Sequence, residues 1–280
     1  MTGDGHSAQK RAAGSVKWAD LGRRFGSAVV LVILATILIL SSGLWLRFGI
    51  SIVAGLLMWE LARLTGWRHP EYHSPRHPEL IGFLGGLTAL AMLTLPGDWP
   101  MALVLVPVLA GLPGTNRHER VAYVAFTIAM LVAPYAFVVI HEVMGLPTIL
   151  WIVGTVILSD VLGYFVGRRL GGPRFWPAIS PKKTWSGTIA GWVGAVLLAL
   201  ALWATGLAGW GVLIAGPLLA VAGQFGDIAE SWLKRRVDVK DSSNLIPGHG
   251  GVMDRFDAMS GALLAALIMM IAGLLPVIGG

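Results

Sequence analysis

The chain has 280 residues, 55% of them hydrophobic and only 13% charged. Its mean hydropathy of +0.73 excludes an ordinary soluble domain and predicts an all-α polytopic membrane protein. With no cysteine, disulfides, thiolate metal sites and a cysteine nucleophile are excluded, and the formal charge of +6 is spread over several loops with no separate basic domain, which argues against a nucleic-acid partner.

The first residues, "MTGDGHSAQKRAAGSVKWADLGRR", are polar and rich in Gly, Ala and Ser, and predict a mobile tail over 1–26 with an interfacial piece around Trp18. The basic-then-apolar start is like a signal peptide, but it lacks a small-residue cleavage site, so the first apolar run is read as a retained helix. Apolar stretches of about 17 to 25 residues can cross a bilayer as helices, and about nine are present. They lie near 28–46, 48–65, 80–95, 98–113, 119–139, 147–167, 185–206, 208–226 and 260–278. The third and fourth are short, and Pro96-Gly97 between them marks either a tight hairpin or a re-entrant pair. The chain divides into the tail, N-terminal transmembrane helices over 27–145 and a C-terminal catalytic region over 146–280.

Cytoplasmic loops carry the excess of Lys and Arg. With nine spans and a cytoplasmic N-terminus, 20 of the 21 Lys and Arg fall on the inner side or at its edge, leaving only Arg47 outside. The C-terminus then lies on the opposite side. A multi-pass protein of the inner (plasma) membrane is expected, with its polar face toward the cytoplasm. Most of the twelve Trp lie near span ends, as interfacial anchors do.

Within the second span, Glu60 and Arg63 stand at i, i+3 and are expected to pair with each other. His69, His73 and His77 alternate with prolines, which denies them a shared helix face and predicts an exposed inner loop. At the inner end of the sixth span, Asp160, Tyr164, Gly167 and Arg168 share a face, and Gly163 with Gly167 offers a small-residue packing surface. "SPKKTWSGT", residues 180–188, is a basic loop before a helix that Thr184 or Ser186 would cap. Its Lys182 and Lys183 suit phosphate at the membrane surface.

In "GQFGDIAESWLKRR", Asp227, Glu230, Ser231 and Lys234 are spaced to share one helix face near the membrane surface, where acids are costly unless paired, metal-bound or functional. The following "VDVKDSSNLIPGHGG" supplies turn chemistry, after which Asp254 and Asp257 open another helix. Nine charged residues fall within 234–257. Two helix ends bearing acids, joined by a basic Gly-rich loop, provide hard oxygen ligands for Mg²⁺ and cations with loop amides for a polyphosphate.

The segment "SWLKRRVDVKDSSNLIPGHGGVMDRFD" resembles the signature of the phosphatidate cytidylyltransferases, or CDP-diacylglycerol synthases. Its fixed positions are met by Ser231, Lys234, Arg235, Lys240, Asp241, Pro247, His249, Gly250, Gly251, Asp254, Arg255 and Asp257. The resemblance extends through "SDVLGYFVGRRLGG", where an Asp and a Tyr precede Gly-Arg as in the family, and "ISPKKTWSGTIAG". It departs at Ser186, where the family usually has Glu. The resemblance implies an enzyme that joins cytosolic CTP to phosphatidate in the bilayer, giving CDP-diacylglycerol and pyrophosphate. It also implies a homodimer and a monovalent cation, K⁺, beside Mg²⁺.

On that reading Asp227 and Asp254 are the leading Mg²⁺ ligands, with Glu230, Asp257 and Asp241 as further candidates. Lys234, Arg235, Lys240 and Arg255 bind phosphates, Gly248, Gly250 and Gly251 admit backbone amides to the triphosphate, and Ser231 contacts phosphate or metal. His249 either donates to a phosphate oxygen or fixes the loop. Two other functions are weighed beside this one: nucleotidyl transfer to a different lipid phosphate, and a cation-coupled secondary transporter, which would place its acids near mid-span. Neither a Walker sequence nor HExxH, GxSxG or a strand-linked GxGxxG occurs.

Overall fold

The computed structural model describes residues 24–66 and 77–279. The expectations for the tail up to residue 23, and for His69 and His73, lie outside the described residues. Helix α1 covers 24–40, α2 Gly43–Thr65 and α3 His77–Thr94. A 3₁₀ segment, Trp99–Val104, then leads into α4, Leu105–Gly111. Helices α5, Arg120–Met144, and α6, Leu146–Leu170, follow. Two short strands come next, β1 (Arg174–Trp176) and β2 (Ser180–Thr184), and then α7 (Trp185–Ala204), α8 (Val212–Arg236) and α9 (Met253–Ile271). Among the described residues five helices, α2, α5 with its preceding turn, α6, α7 and α8, are long and apolar enough to cross a membrane.

Local chemistry sets these limits. Gly145, at φ +84°, lets the chain reverse between α5 and α6, and Pro147 then sits in the first turn of α6, where no backbone N–H is needed. Pro96-Gly97 marks a bend into the 3₁₀ segment. The stretch expected to be only a basic loop forms an antiparallel hairpin, with Arg174 opposite Thr184 and Trp176 opposite Ser180.

Lipid gives helices no hydrophobic drive to associate, so close backbone approach through small residues matters most. An added Cβ at Gly55 would stand 2.9 Å from the Gly82 carbonyl, locking α2 against α3. Gly187 of α7 seats its backbone against Gly163 and Gly167 of α6, as the small-residue spacing predicted. Gly226 and Gly261 do the same for α8 and α9. Large apolar side chains such as Val32, Phe83, Phe165 and Leu197 stay exposed on outward faces, as a lipid-facing surface requires.

Contacts between termini define two ends. At one, Gly66 bridges Thr115, Arg236 pairs with Glu119 at 2.7 Å, and Ser27 reaches the Pro247 carbonyl. At the other, Arg47 pairs with Glu142 at 2.8 Å, and the Gly279 N–H donates to the Leu207 carbonyl. The polar motifs gather at the first end.

Candidate functional site

The spacing on α8 turns its acids and Lys234 toward α9. Lys234 Nζ donates to Glu230 Oε1 at 3.0 Å and to Asp254 Oδ1 at 2.6 Å. Glu230 is fully buried and Lys234 nearly so, which such charges tolerate only when paired. One turn earlier, Asp227 accepts from Ser231 Oγ at 3.2 Å and pairs with Lys183 of β2. The basic hairpin is thereby fastened to α8. Asp160 lies within electrostatic reach of Asp227 and Lys183, while Asp257 is close to Asp227, Asp160 and Lys234. Five carboxylates from α6, α8 and α9 thus gather around two ammonium groups.

Between α8 and α9 the chain folds into a tight loop. Ile246 N–H donates to the Gly250 carbonyl at 2.8 Å and His249 N–H to the Ile246 carbonyl at 2.9 Å. Positive φ at Gly248 (+76°) and Gly250 (+84°) makes that turn accessible to glycine and strained for other residues. Asp254 Oδ2 accepts from the Gly251 and Ser242 amides, both at 2.8 Å, and from Ser242 Oγ at 3.0 Å. Burial opposes this carboxylate, but the Gly251 amide, Lys234 and the Ser242 amide outweigh it and hold Asp254 below the usual carboxylate range.

Glu60 was expected to pair with Arg63, and the structure corrects this. Arg63 stacks instead over the Trp59 ring, 4.8 Å from its centroid. Glu60, fully buried, reaches across from α2 to the loop. It accepts from Ser243 Oγ at 2.5 Å, Ser242 Oγ at 3.1 Å, Val252 N–H at 2.9 Å and Met253 N–H at 2.7 Å. The last two are backbone donors at the start of α9, which leaves them without intrahelical partners and favours a negative charge there. One hydroxyl, Ser242, therefore sits between Glu60 and Asp254 and shares its single proton between the two carboxylates. The sequence signal for Glu60 was a lone acid inside the apolar "LLMWELARL". Ser242, Ser243, Ser27 and Arg24 had no comparable signal.

Two cavities flank the segment 240–245. The first, about 300 Å³, is lined by Arg24, Lys240, Asp241, Pro247 through Gly250, and Arg255. The second, about 550 Å³, is lined by Trp59, Arg63 and the same Lys240 and Asp241. Asp241 therefore lines both cavities, and it borders Gly250 beside Asp254. Arg255 also donates to the His249 carbonyl at 2.7 Å, and Arg235 to the Val239 carbonyl at 3.3 Å. Lys182 lines neither cavity. Arg168 bonds Tyr164 at 2.7 Å, a local pair on α6. Thr184 caps α7 by accepting from the Gly187 N–H at 3.3 Å, and Ser186 instead donates to the Gly171 carbonyl. Among the described residues no three His, Asp or Glu side chains are arranged closely enough to hold a metal ion. Asp227 and Asp254 are held by different lysines.

The profile of the cytidylyltransferase family matches residues 22–273. A Brucella abortus protein named phosphatidate cytidylyltransferase is 46% identical over 129 residues, 45% of this chain and 47% of that protein. The match thus spans about half of that relative's length. Proteins of the same name from Staphylococcus haemolyticus and Staphylococcus aureus are similar over longer stretches. The first is 30% identical over 69% of this chain and 81% of its own, the second 29% over 88% and 97%.

Proposed function

The chain belongs to the cytidylyltransferase family, and from that premise we propose that it transfers the cytidylyl group of CTP to phosphatidate. The observation that carries this reading is a cavity walled by Lys240, Arg255 and the Gly248–Gly250 turn, beside buried acids at one end of apolar helices. In the proposed reaction a phosphate oxygen of the lipid forms a bond to the α-phosphorus of CTP. The bond from that phosphorus to the bridging oxygen breaks, and pyrophosphate leaves with the electron pair. A phosphomonoester has a second pKa near about 6, so the nucleophile is already an oxyanion and needs no general base. What the site must supply is alignment of two anions and neutralisation of charge on the leaving group. Lys240, Arg255 and the loop amides suit the triphosphate. Lys182 and Lys183 suit phosphate at the headgroup level.

Mg²⁺ belongs to this proposal, and the donor set fits it. Glu230 Oε2 is buried without a hydrogen-bond partner, and the surrounding carboxylates outnumber the ammonium groups. Hard carboxylate oxygens in excess suit a small divalent cation. Asp227, Glu230 and Asp257, with Asp160 nearby, are the residues that would hold it, by drawing closer than they stand among the described residues. Asp254 would serve through Lys234 and the loop, since both of its oxygens already accept hydrogen bonds. Bound there, the cation would neutralise phosphate charge as a Lewis acid.

We place the polar end of the bundle at the cytoplasmic face of an inner (plasma) membrane, with nine spans and the C-terminus on the opposite side. The Lys and Arg bias supports this orientation. A homodimer and a K⁺ ion enter only through the family resemblance. The clustering of Asp160, Asp227 and Glu230 at one end favours transfer chemistry over solute transport. The test is release of pyrophosphate from CTP by the full chain in lipid vesicles. It should require both Mg²⁺ and phosphatidic acid; release with an isoprenoid phosphate and not with phosphatidic acid would assign a different acceptor, and solute movement without CTP use would reject the reading.

A further inference from the structure

The 300 Å³ cavity has a wall that the α8–α9 signature does not contain. It comes from the first turn of α1, more than 200 residues away in the chain. Arg24 lines the cavity together with Lys240 and Arg255, and its side-chain stem lies against Gly248, where an added Cβ would stand 2.5 Å from Arg24 Cγ. Ser27 Oγ lies 2.8 Å from the Pro247 carbonyl, 3.0 Å from the Arg24 carbonyl and 2.8 Å from His249 Nδ1.

Proton accounting orients these groups. A hydroxyl has one proton and carbonyl oxygens only accept. If the Ser27 proton goes to a carbonyl, Oγ accepts from His249 Nδ1–H. The opposite arrangement would spend that proton on the ring and leave both carbonyls without it. The better-satisfied arrangement fixes the imidazole with hydrogen on Nδ1 and frees Nε2 on a ring that borders the cavity.

We infer that the start of α1 is a working part of the phosphate site: Arg24 binds phosphate oxygens of the nucleotide, and Ser27 is a positioning residue that sets the orientation of His249 and the Pro247–Gly250 turn. This rests on the reading that the cavity takes the triphosphate. Three guanidinium or ammonium groups, Arg24, Lys240 and Arg255, beside a turn of backbone amides, suit a polyanion better than a single phosphomonoester.

The test uses the full chain in detergent–lipid micelles and the variants Arg24→Gln, Arg24→Lys, Ser27→Ala and Ser27→Thr, with Lys240→Ala as the reference for the cavity itself. Arg24→Gln keeps most of the stem over Gly248 and deletes the charge. It is expected to raise KM for CTP, and the pyrophosphate concentration needed for inhibition, roughly tenfold, as loss of one charge-assisted hydrogen bond does. Arg24→Lys should recover part of that loss. Ser27→Ala should raise KM for CTP roughly threefold to tenfold, with Ser27→Thr restoring it, and thermal midpoints should stay within a few degrees of the parent. If Lys240→Ala weakens CTP and pyrophosphate binding while the Arg24 and Ser27 variants do not, the role of α1 is overturned and the cavity assignment stands. If Lys240→Ala is equally silent, the cavity assignment itself fails. A shift confined to KM for phosphatidic acid would overturn the assignment of Arg24 to the nucleotide.

Discussion

The N-terminal and C-terminal halves bring carboxylates to the same loop in different ways. From the C-terminal half, Asp227, Glu230, Asp254 and Asp257 arrive at helical spacing on two adjacent helices, and the first three pair with lysines. From the N-terminal half, Glu60 arrives alone, pairs with no cation among the described residues, and is satisfied by two serine hydroxyls and two backbone amides. The first arrangement collects opposite charges in one place; the second surrounds a single charge with neutral donors. A carboxylate buried with lysines is therefore a candidate for reaction. One buried with amides is a candidate for architecture.

This contrast can be broken by mutation. The largest effect is expected for Asp227→Asn and Asp254→Asn, which should lower pyrophosphate release more than about a hundredfold, as loss of transition-state charge stabilisation does. Wild-type turnover in Asp227→Asn would remove that residue from the site. Next, Lys234→Met leaves Glu230 and Asp254 without their shared cation, and unfolding measurements should show a loss of about 3–5 kcal/mol. Glu60→Gln replaces one acceptor oxygen with an amide donor that meets a backbone N–H, and should cost about 2–4 kcal/mol. If Glu60 holds shape only, its turnover loss should follow the loss of loop order measured by hydrogen exchange. Turnover lost with the loop still protected would move Glu60 into the reacting group. The smallest effect belongs to the opposite end. A double-mutant cycle on the partly exposed Arg47–Glu142 pair should give about 0–1 kcal/mol and unchanged turnover.

Much of this was legible in the sequence where one helix or one turn decided it. The i, i+3, i+4, i+7 spacing on α8 announced the shared face of Asp227, Glu230, Ser231 and Lys234, and Gly163 with Gly167 announced a close helix contact, though not that α7 would fill it. Helix periodicity and glycine chemistry are local, so they survive in one dimension. Partner choice is not local. Arg63 stood one turn from Glu60, the expected partner, yet four donors brought by the loop some 180 residues later satisfy Glu60 more fully. The same limit hid Ser27 and Arg24, which look like ordinary residues at the mouth of a first helix. It also hid the division of labour between Lys183 and Lys234, because nothing in "SPKKTWSGT" says which acid its lysine will meet.

The Pro247–Gly250 turn is gripped by α1, and the start of α9 by α2, so groups from the beginning of the chain close on groups near its end. During synthesis the earliest segments enter the bilayer long before their counterparts leave the ribosome, and contacts of such long range form last because so much chain must be ordered first. Until then Glu60 waits within the membrane for its hydrogen-bond donors. The turn and the start of α9 therefore take up their described positions only after the final helix has been threaded.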